Sequence, residues 1–139
     1  MDPFATLGIA RTFDVDLAAV EINEAWRVLR DPIRRAEALL ALRGVPIGEG
    51  PGGPTADPAF LMDMLEQREA LAEARRTKDV EAVRRMAAAI GERARSVERA
   101  LAQGFARDEV DGLAGKVGEL KFYRRFLDEV SAIEDEWAA

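Results

Sequence analysis

Three glutamates, Glu66, Glu69 and Glu73, fall at i, i+3 and i+7, and on a helix that spacing turns their carboxylates to one side. Carboxylates so placed can hold a metal inside a helical bundle or present negative charge to a basic partner. The metal reading needs a Glu-x-x-His partner from a neighbouring helix, and the chain contains no His. It contains no Cys either, which closes thiolate metal sites, thiol nucleophiles and disulfides. Gly50 to Gly53 lacks the preceding strand and the following Lys-Ser/Thr of a phosphate loop. Asp128, Glu129, Glu134, Asp135 and Glu136 form a second acidic cluster, which reads as a solvated surface. No catalytic residue, metal site or cofactor is expected, and the chemistry left to the chain is binding.

The best candidate for binding lies beside the first three glutamates. A helical wheel of the segment from Pro58, at about 100° per residue, separates Phe60, Met64 and Leu71 from Leu61, Met62 and Leu65. The first group is expected to face a bundle core. The second shares its side with Glu66, Glu69 and Glu73, giving an apolar patch flanked by carboxylates that suits a partly basic protein. The plain alternative is that Leu61 and Leu65 widen the core stripe and the glutamates are only solvated. On the last helical segment, Phe122, Phe126 and Ile133 fall away from Leu113, Val117 and Leu120, which requires a second apolar contact.

The elements that must carry these residues are all helical. Asp16 to Arg30 and Pro32 to Arg43 read as two helices meeting at Asp31-Pro32, an N-cap followed by a first-turn proline, with Gly44 as the stop. Residues 45–57, with Pro46, Gly48, Gly50, Pro51, Gly52, Gly53 and Pro54, cannot sustain a helix or strand and read as a linker. Asp57-Pro58 repeats the cap signature and opens a helix to about Arg76. Asp79 to Gln103 carries Val83, Ala87, Ile90, Ala94, Val97 and Leu101 in one stripe and is expected to stop at Gly104. A last helix, Arg107 to Trp137, carries Val110, Leu113, Val117, Leu120, Leu127 and Val130. The expectation is an all-α chain whose last three helices form an antiparallel bundle.

Composition narrows the partners. The net charge of -6 and the lack of a Lys/Arg block with interleaved aromatics argue against nucleic acid. No stretch approaches the roughly 20 apolar residues needed to span a bilayer, and Met1 to Arg11 lacks the basic start and apolar run of a signal peptide, so a cytoplasmic protein is expected.

The chain opens Asp2-Pro3-Phe4-Ala5-Thr6-Leu7-Gly8 and continues Phe13-Asp14-Val15-Asp16. Later it reads Asn23-Glu24-Ala25-Trp26-Arg27-Val28-Leu29-Arg30-Asp31-Pro32-Ile33-Arg34-Arg35-Ala36. These strings resemble both ends of the J domain of HscB-type co-chaperones of iron-sulfur cluster assembly. After the linker, Asp57-Pro58-Ala59-Phe60-Leu61-Met62-Asp63-Met64-Leu65-Glu66-Gln67-Arg68-Glu69-Ala70-Leu71 resembles the helix that opens that family's C-terminal three-helix domain. The resemblance implies a shortened J-like domain over residues 1–44, a linker over 45–57 and a scaffold-binding domain over 58–139. It implies that Leu61, Met62, Leu65, Glu66, Glu69 and Glu73 bind the IscU-type cluster scaffold. Leu120-Lys121-Phe122 resembles a segment whose aromatic joins that face, which adds Phe122, the alternative being that Phe122 and Phe126 pack on the N-terminal domain.

The departure from the family lies in its chaperone-activating segment. The resemblance implies a helix ending in His-Pro-Asp between the Phe13 and Asn23 regions, and here those regions nearly adjoin in a chain without His. The expected function is an adaptor that binds the scaffold and targets it to the heat-shock-70-type chaperone HscA, stimulating its ATPase only where that segment is present. Arg34 and Arg35, at the exit of the J-like region, are candidates for the chaperone contact, with pairing to Asp31 or Glu37 as the structural alternative. A rival reading is a structural or regulatory helical protein that self-associates as a homodimer through Trp26 and Ile22, left uncovered by the shortened domain.

Overall fold

A computed structural model describes residues 15–45 and 57–139, which contain five helices in two compact units. The first unit pairs α1, Val15–Arg30, with α2, Pro32–Leu42. The second packs α3, Pro58–Thr77, with α4, Val80–Ala106, and α5, Leu113–Ala138, each touching both others. The all-α expectation is met. The opening Asp2-to-Gly8 motif, Phe13-Asp14, the Ile22 side chain and residues 46–56 of the Gly/Pro linker lie outside the described residues.

Local chemistry sets the helix boundaries. The Asp31 carboxylate accepts hydrogen bonds from the backbone N–H groups of Ile33 at 2.9 Å and Arg34 at 3.3 Å, satisfying donors that a helix start leaves orphaned. Asp57 caps α3 through Ala59 N–H at 3.0 Å, and Asp79 caps α4 through Ala82 N–H at 3.0 Å. At the end of α2, Gly44 takes a left-handed φ of 69° while its N–H reaches the Ala41 carbonyl and that of Val45 reaches Leu40. Ala25, Ile33, Ala36 and Leu40 are buried in this unit.

In the second unit, α3 and α4 are joined by two residues and α4 and α5 by six, lengths that make sequential helices antiparallel. Consequently α3 and α5 run parallel, and their contacts keep a nearly constant sequence offset: Phe60 with Phe122, Arg68 with Glu129, Arg75 with Glu136. Phe126, Ile90, Val83 and Val117 are the largest fully buried side chains of this bundle. Burying side chains of this size stabilises the fold by about 1.5–3 kcal/mol each.

The structure moves two expected boundaries. Helix α4 does not stop at Gly104 but continues to Ala106, because Gly104 serves close packing against Leu113 rather than chain reversal. The last helix starts at Leu113, six residues after the expected Arg107, since Asp108 at φ 53° and Gly112 at φ 78° take left-handed conformations that no α-helix accommodates. Val110 thus precedes α5. No described helix is long and apolar enough to cross a membrane.

Candidate functional site

Helix α3 has two apolar faces, and only one enters the bundle. Met64, Leu71 and Ala74 are buried, and Phe60 is half-buried. Leu61, Met62 and Leu65 stay 36%, 59% and 53% exposed, making them three of the six large hydrophobic residues exposed among the described ones. Glu66, Glu69 and Glu73 are exposed as well. At roughly 100° per residue the six positions 61, 62, 65, 66, 69 and 73 share about 140° of the helix surface. The arrangement is an apolar ridge running into a carboxylate row, and the alternative in which Leu61 and Leu65 widen the core stripe does not hold.

The carboxylates differ in their engagement. Both Glu73 oxygens accept from Arg76, at 2.5 Å from Nη2 and 3.0 Å from Nε, and this hydrogen-bonded guanidinium holds the Glu73 carboxyl below its usual range. Among the described residues no ion pair reaches Glu66 or Glu69. No group of three or more Asp and Glu side chains among the described residues is placed to hold a metal ion.

Phe122 on α5 joins α3 through an aromatic cluster. Its ring meets that of Phe60 edge to face, with centroids 5.6 Å apart and an interplanar angle of 76°, and Phe60 meets Tyr123 in the same way at 5.7 Å and 71°. Phe122 is half-buried, whereas Phe126 is fully buried. The second apolar contact that α5 requires is therefore supplied within the bundle, where α3 and α4 together cover Leu113, Val117, Leu120, Phe126 and Ile133.

Tyr123 carries no site signature in its sequence surroundings, although it falls three residues after Leu120 and three before Phe126 and so continues the buried stripe. Its phenol pKa is raised by burial and by the nearby Glu119 charge, an effect partly offset by the Arg93 guanidinium beside it. Arg93, on α4, donates from Nη1 to the Asp63 carboxylate of α3. In the other unit Arg34 and Arg35 are both exposed in the first turn of α2, and the Arg35 N–H donates to the Asp31 carbonyl at 2.8 Å.

Residues 56–131 match the family model described as the HSCB C-terminal oligomerisation domain. The chain is 35% identical over 131 residues to a co-chaperone protein HscB homolog of Burkholderia multivorans, a match covering 94% of this chain and 74% of that protein. The homolog of Burkholderia cenocepacia matches with the same identity and coverage. Among solved structures, the chaperone HscB from Vibrio cholerae superposes with a TM-score of 0.74 at 31% identity, covering 96% of this chain and 80% of that one. Fold and relatives together define a helical co-chaperone. The chain belongs to the HscB family.

Proposed function

We propose that this chain is the adaptor of an iron-sulfur cluster assembly system in the cytoplasm, with residues 58–139 as a scaffold-binding domain joined by the linker 45–57 to a J-like region, 1–44. The observation that carries the reading is the ridge of Leu61, Met62 and Leu65, held outward on a helix whose opposite face is already buried. An exposed apolar ridge of this kind marks a docking site, and Glu66, Glu69 and Glu73 beside it favour a scaffold with basic residues around its own apolar contact. Phe122, half-buried on α5 against Phe60, is the residue that the family resemblance adds to this face. Association replaces water on the apolar side chains, while the carboxylates steer the encounter and fix its orientation.

Targeting of the scaffold to the HscA-type chaperone is proposed for the J-like region, with Arg34 and Arg35 as contacts. Stimulating the chaperone's ATPase is reserved for a chain that includes the family's His-Pro-Asp segment, since this sequence has no His. The test is a calorimetric titration with an IscU-type scaffold protein, with Leu61→Glu as the control. Saturable binding by the unaltered chain and none by a folded Leu61→Glu variant is the expected result. Equal binding by the two would remove the ridge from the interface.

One observation favours a second reading. Trp26 is 59% exposed on α1, and a large aromatic in that position can join two copies of the chain. Sedimentation across a range of concentrations separates the readings: a homodimer dispersed by Trp26→Ser supports self-association, and a monomer throughout removes it.

A further inference from the structure

We propose that Arg93 is a positioning residue for the docking face: it fixes the rotation of the first turns of α3, which turns Leu61, Met62 and Leu65 outward. The inference rests on the scaffold-binding reading of that face.

Phe60, Met64 and Leu71 point into the bundle and Leu61, Met62 and Leu65 point out of it, so the first turns of α3 carry large apolar residues on both sides, while only the outer side continues into Glu66, Glu69 and Glu73. The cost of burying Glu66 and Glu69 opposes a full reversal of α3, but in the first turns, ahead of the glutamates, burial alone discriminates weakly between the helix as it stands and one rotated to hide Leu61, Met62 and Leu65. A polar link of fixed geometry resolves such ambiguity, as a single polar pair fixes register in a coiled coil.

Arg93 occupies the place where that link is most effective. Its guanidinium reaches Asp63, the residue directly after Met62, and lies beside the hydroxyl of Tyr123, the residue directly after Phe122. One side chain of α4 is thereby bonded to α3 and acts electrostatically on α5, the two helices that supply docking residues. The Phe60 ring meets Phe122 and Tyr123 edge to face in the same layer. Rotating α3 would withdraw Asp63 from Arg93 and Phe60 from both rings. Two further ion pairs, Arg68 with Glu129 at 3.1 Å and Arg75 with Glu136 at 2.7 Å, bind the later turns of α3 to α5, leaving the first turns to Arg93.

The test compares the unaltered chain, Arg93→Met, and the exchanged pair Asp63→Arg/Arg93→Asp, each shown to be helical by circular dichroism. Two quantities are read: affinity for the scaffold, and the tyrosinate absorbance titration of Tyr123, the only tyrosine in the chain. Arg93→Met is expected to weaken binding about three- to tenfold, the range of a partly exposed charge-assisted hydrogen bond. It is also expected to lower the Tyr123 midpoint toward the ordinary 10.0 as the ring becomes hydrated. The exchanged pair is expected to restore binding; its Tyr123 midpoint is not compared, because Arg93→Asp puts a carboxylate near the phenol.

Four outcomes overturn the proposal. Arg93→Met binding as the unaltered chain does removes the role. Weakened binding with a Tyr123 midpoint that rises, as loss of a cation beside a still-packed phenol requires, makes Arg93 a direct scaffold contact instead. If Arg93→Met does not fold, the exchanged pair decides: folded and non-binding, it rejects the proposal. An unaltered chain that fails to bind the scaffold rejects the parent reading and this one together. That result is distinct from failure of the positioning role alone, in which the unaltered chain binds and Leu61→Glu does not.

Discussion

Gly104 and Leu113 lie as close as a glycine permits: a β-carbon on Gly104 would stand 2.8 Å from one Leu113 methyl, 2.9 Å from the other and 3.1 Å from the Glu109 carbonyl oxygen. The contact joins the last turn of α4 to the first residue of α5, and Leu113 is itself buried. Helix α5 enters the bundle at that point, so the close approach sets where the hairpin closes.

Gly104→Ala therefore sets two effects against each other. Alanine in a helix interior gains about 1 kcal/mol over glycine, while forcing an extra carbon into a packed contact costs about 1–3 kcal/mol. The expected net result is a destabilisation of about 1 kcal/mol in urea unfolding. In a Leu113→Ala background the same substitution is expected to cost less, because the two clashing methyls are gone and only the Glu109 carbonyl oxygen stays close. A loss of equal size in both backgrounds would show that Leu113 is not the obstacle.

Phe122 and Phe126, one turn apart on α5, are expected to respond in opposite ways. Phe126 is fully buried, and Phe126→Ala should cost about 3–5 kcal/mol of stability. Phe122 is half-buried with one edge-to-face contact to Phe60, so Phe122→Ala should cost about 2 kcal/mol, the aromatic pair and half the burial of a large side chain together. Scaffold affinity should fall for Phe122→Ala. Thermal unfolding and calorimetry together check the split, and a Phe122→Ala variant with full affinity would remove that residue from the docking face.

Much of this was legible in sequence because its causes are local. Asp31, Asp57 and Asp79 announce helix starts through their own side chains, and each makes its capping bond in the structure. The two faces of α3 follow from the angle between successive residues, which needs no tertiary information. Gly104 misled because a glycine at a helix end and a glycine at a close helix contact are identical in sequence, and only the position of Leu113 tells them apart. Tyr123 was missed for a related reason: its stripe, Leu120, Tyr123, Phe126, Val130 and Ile133, departs from the regular spacing that would pass through Leu127, and the partners that bury it lie far away in the chain. The Arg93 link to Asp63 spans 30 residues and has no local signature at all.

Glu73 is expected to contribute less to scaffold affinity than Glu66 or Glu69, because Arg76 already occupies both its oxygens. The pairing lowers the folded-state pKa, so whatever stability it supplies is present above the ordinary carboxylate pKa and lost as pH falls through the lower folded value. Both partners are fully exposed, and salt should screen the effect. Glu73→Gln should therefore weaken binding less than Glu69→Gln at neutral pH, and Arg76→Ala should bring the two closer together. Titrations at low and high salt measure this; equal losses at Glu73 and Glu69 with Arg76 in place would contradict it.

Met62 and Met64 are two residues apart on one helix and face opposite surroundings, Met62 in solvent and Met64 in the core. Met64→Ala removes buried atoms from a packed interior and should cost about 2–5 kcal/mol. Met62→Ala leaves no cavity and should stay within about 0.5 kcal/mol, as surface substitutions do. Binding should reverse the order: the folded Met64→Ala chain, assayed well below its unfolding midpoint, retains most of its scaffold affinity, while Met62→Ala loses part of it. The two measurements use one truncation on one side-chain type, so the comparison isolates the direction each residue faces. A Met62→Ala variant that unfolds as readily as Met64→Ala would mean that the ridge is covered by another part of the chain in solution, and the docking face would have to be sought elsewhere.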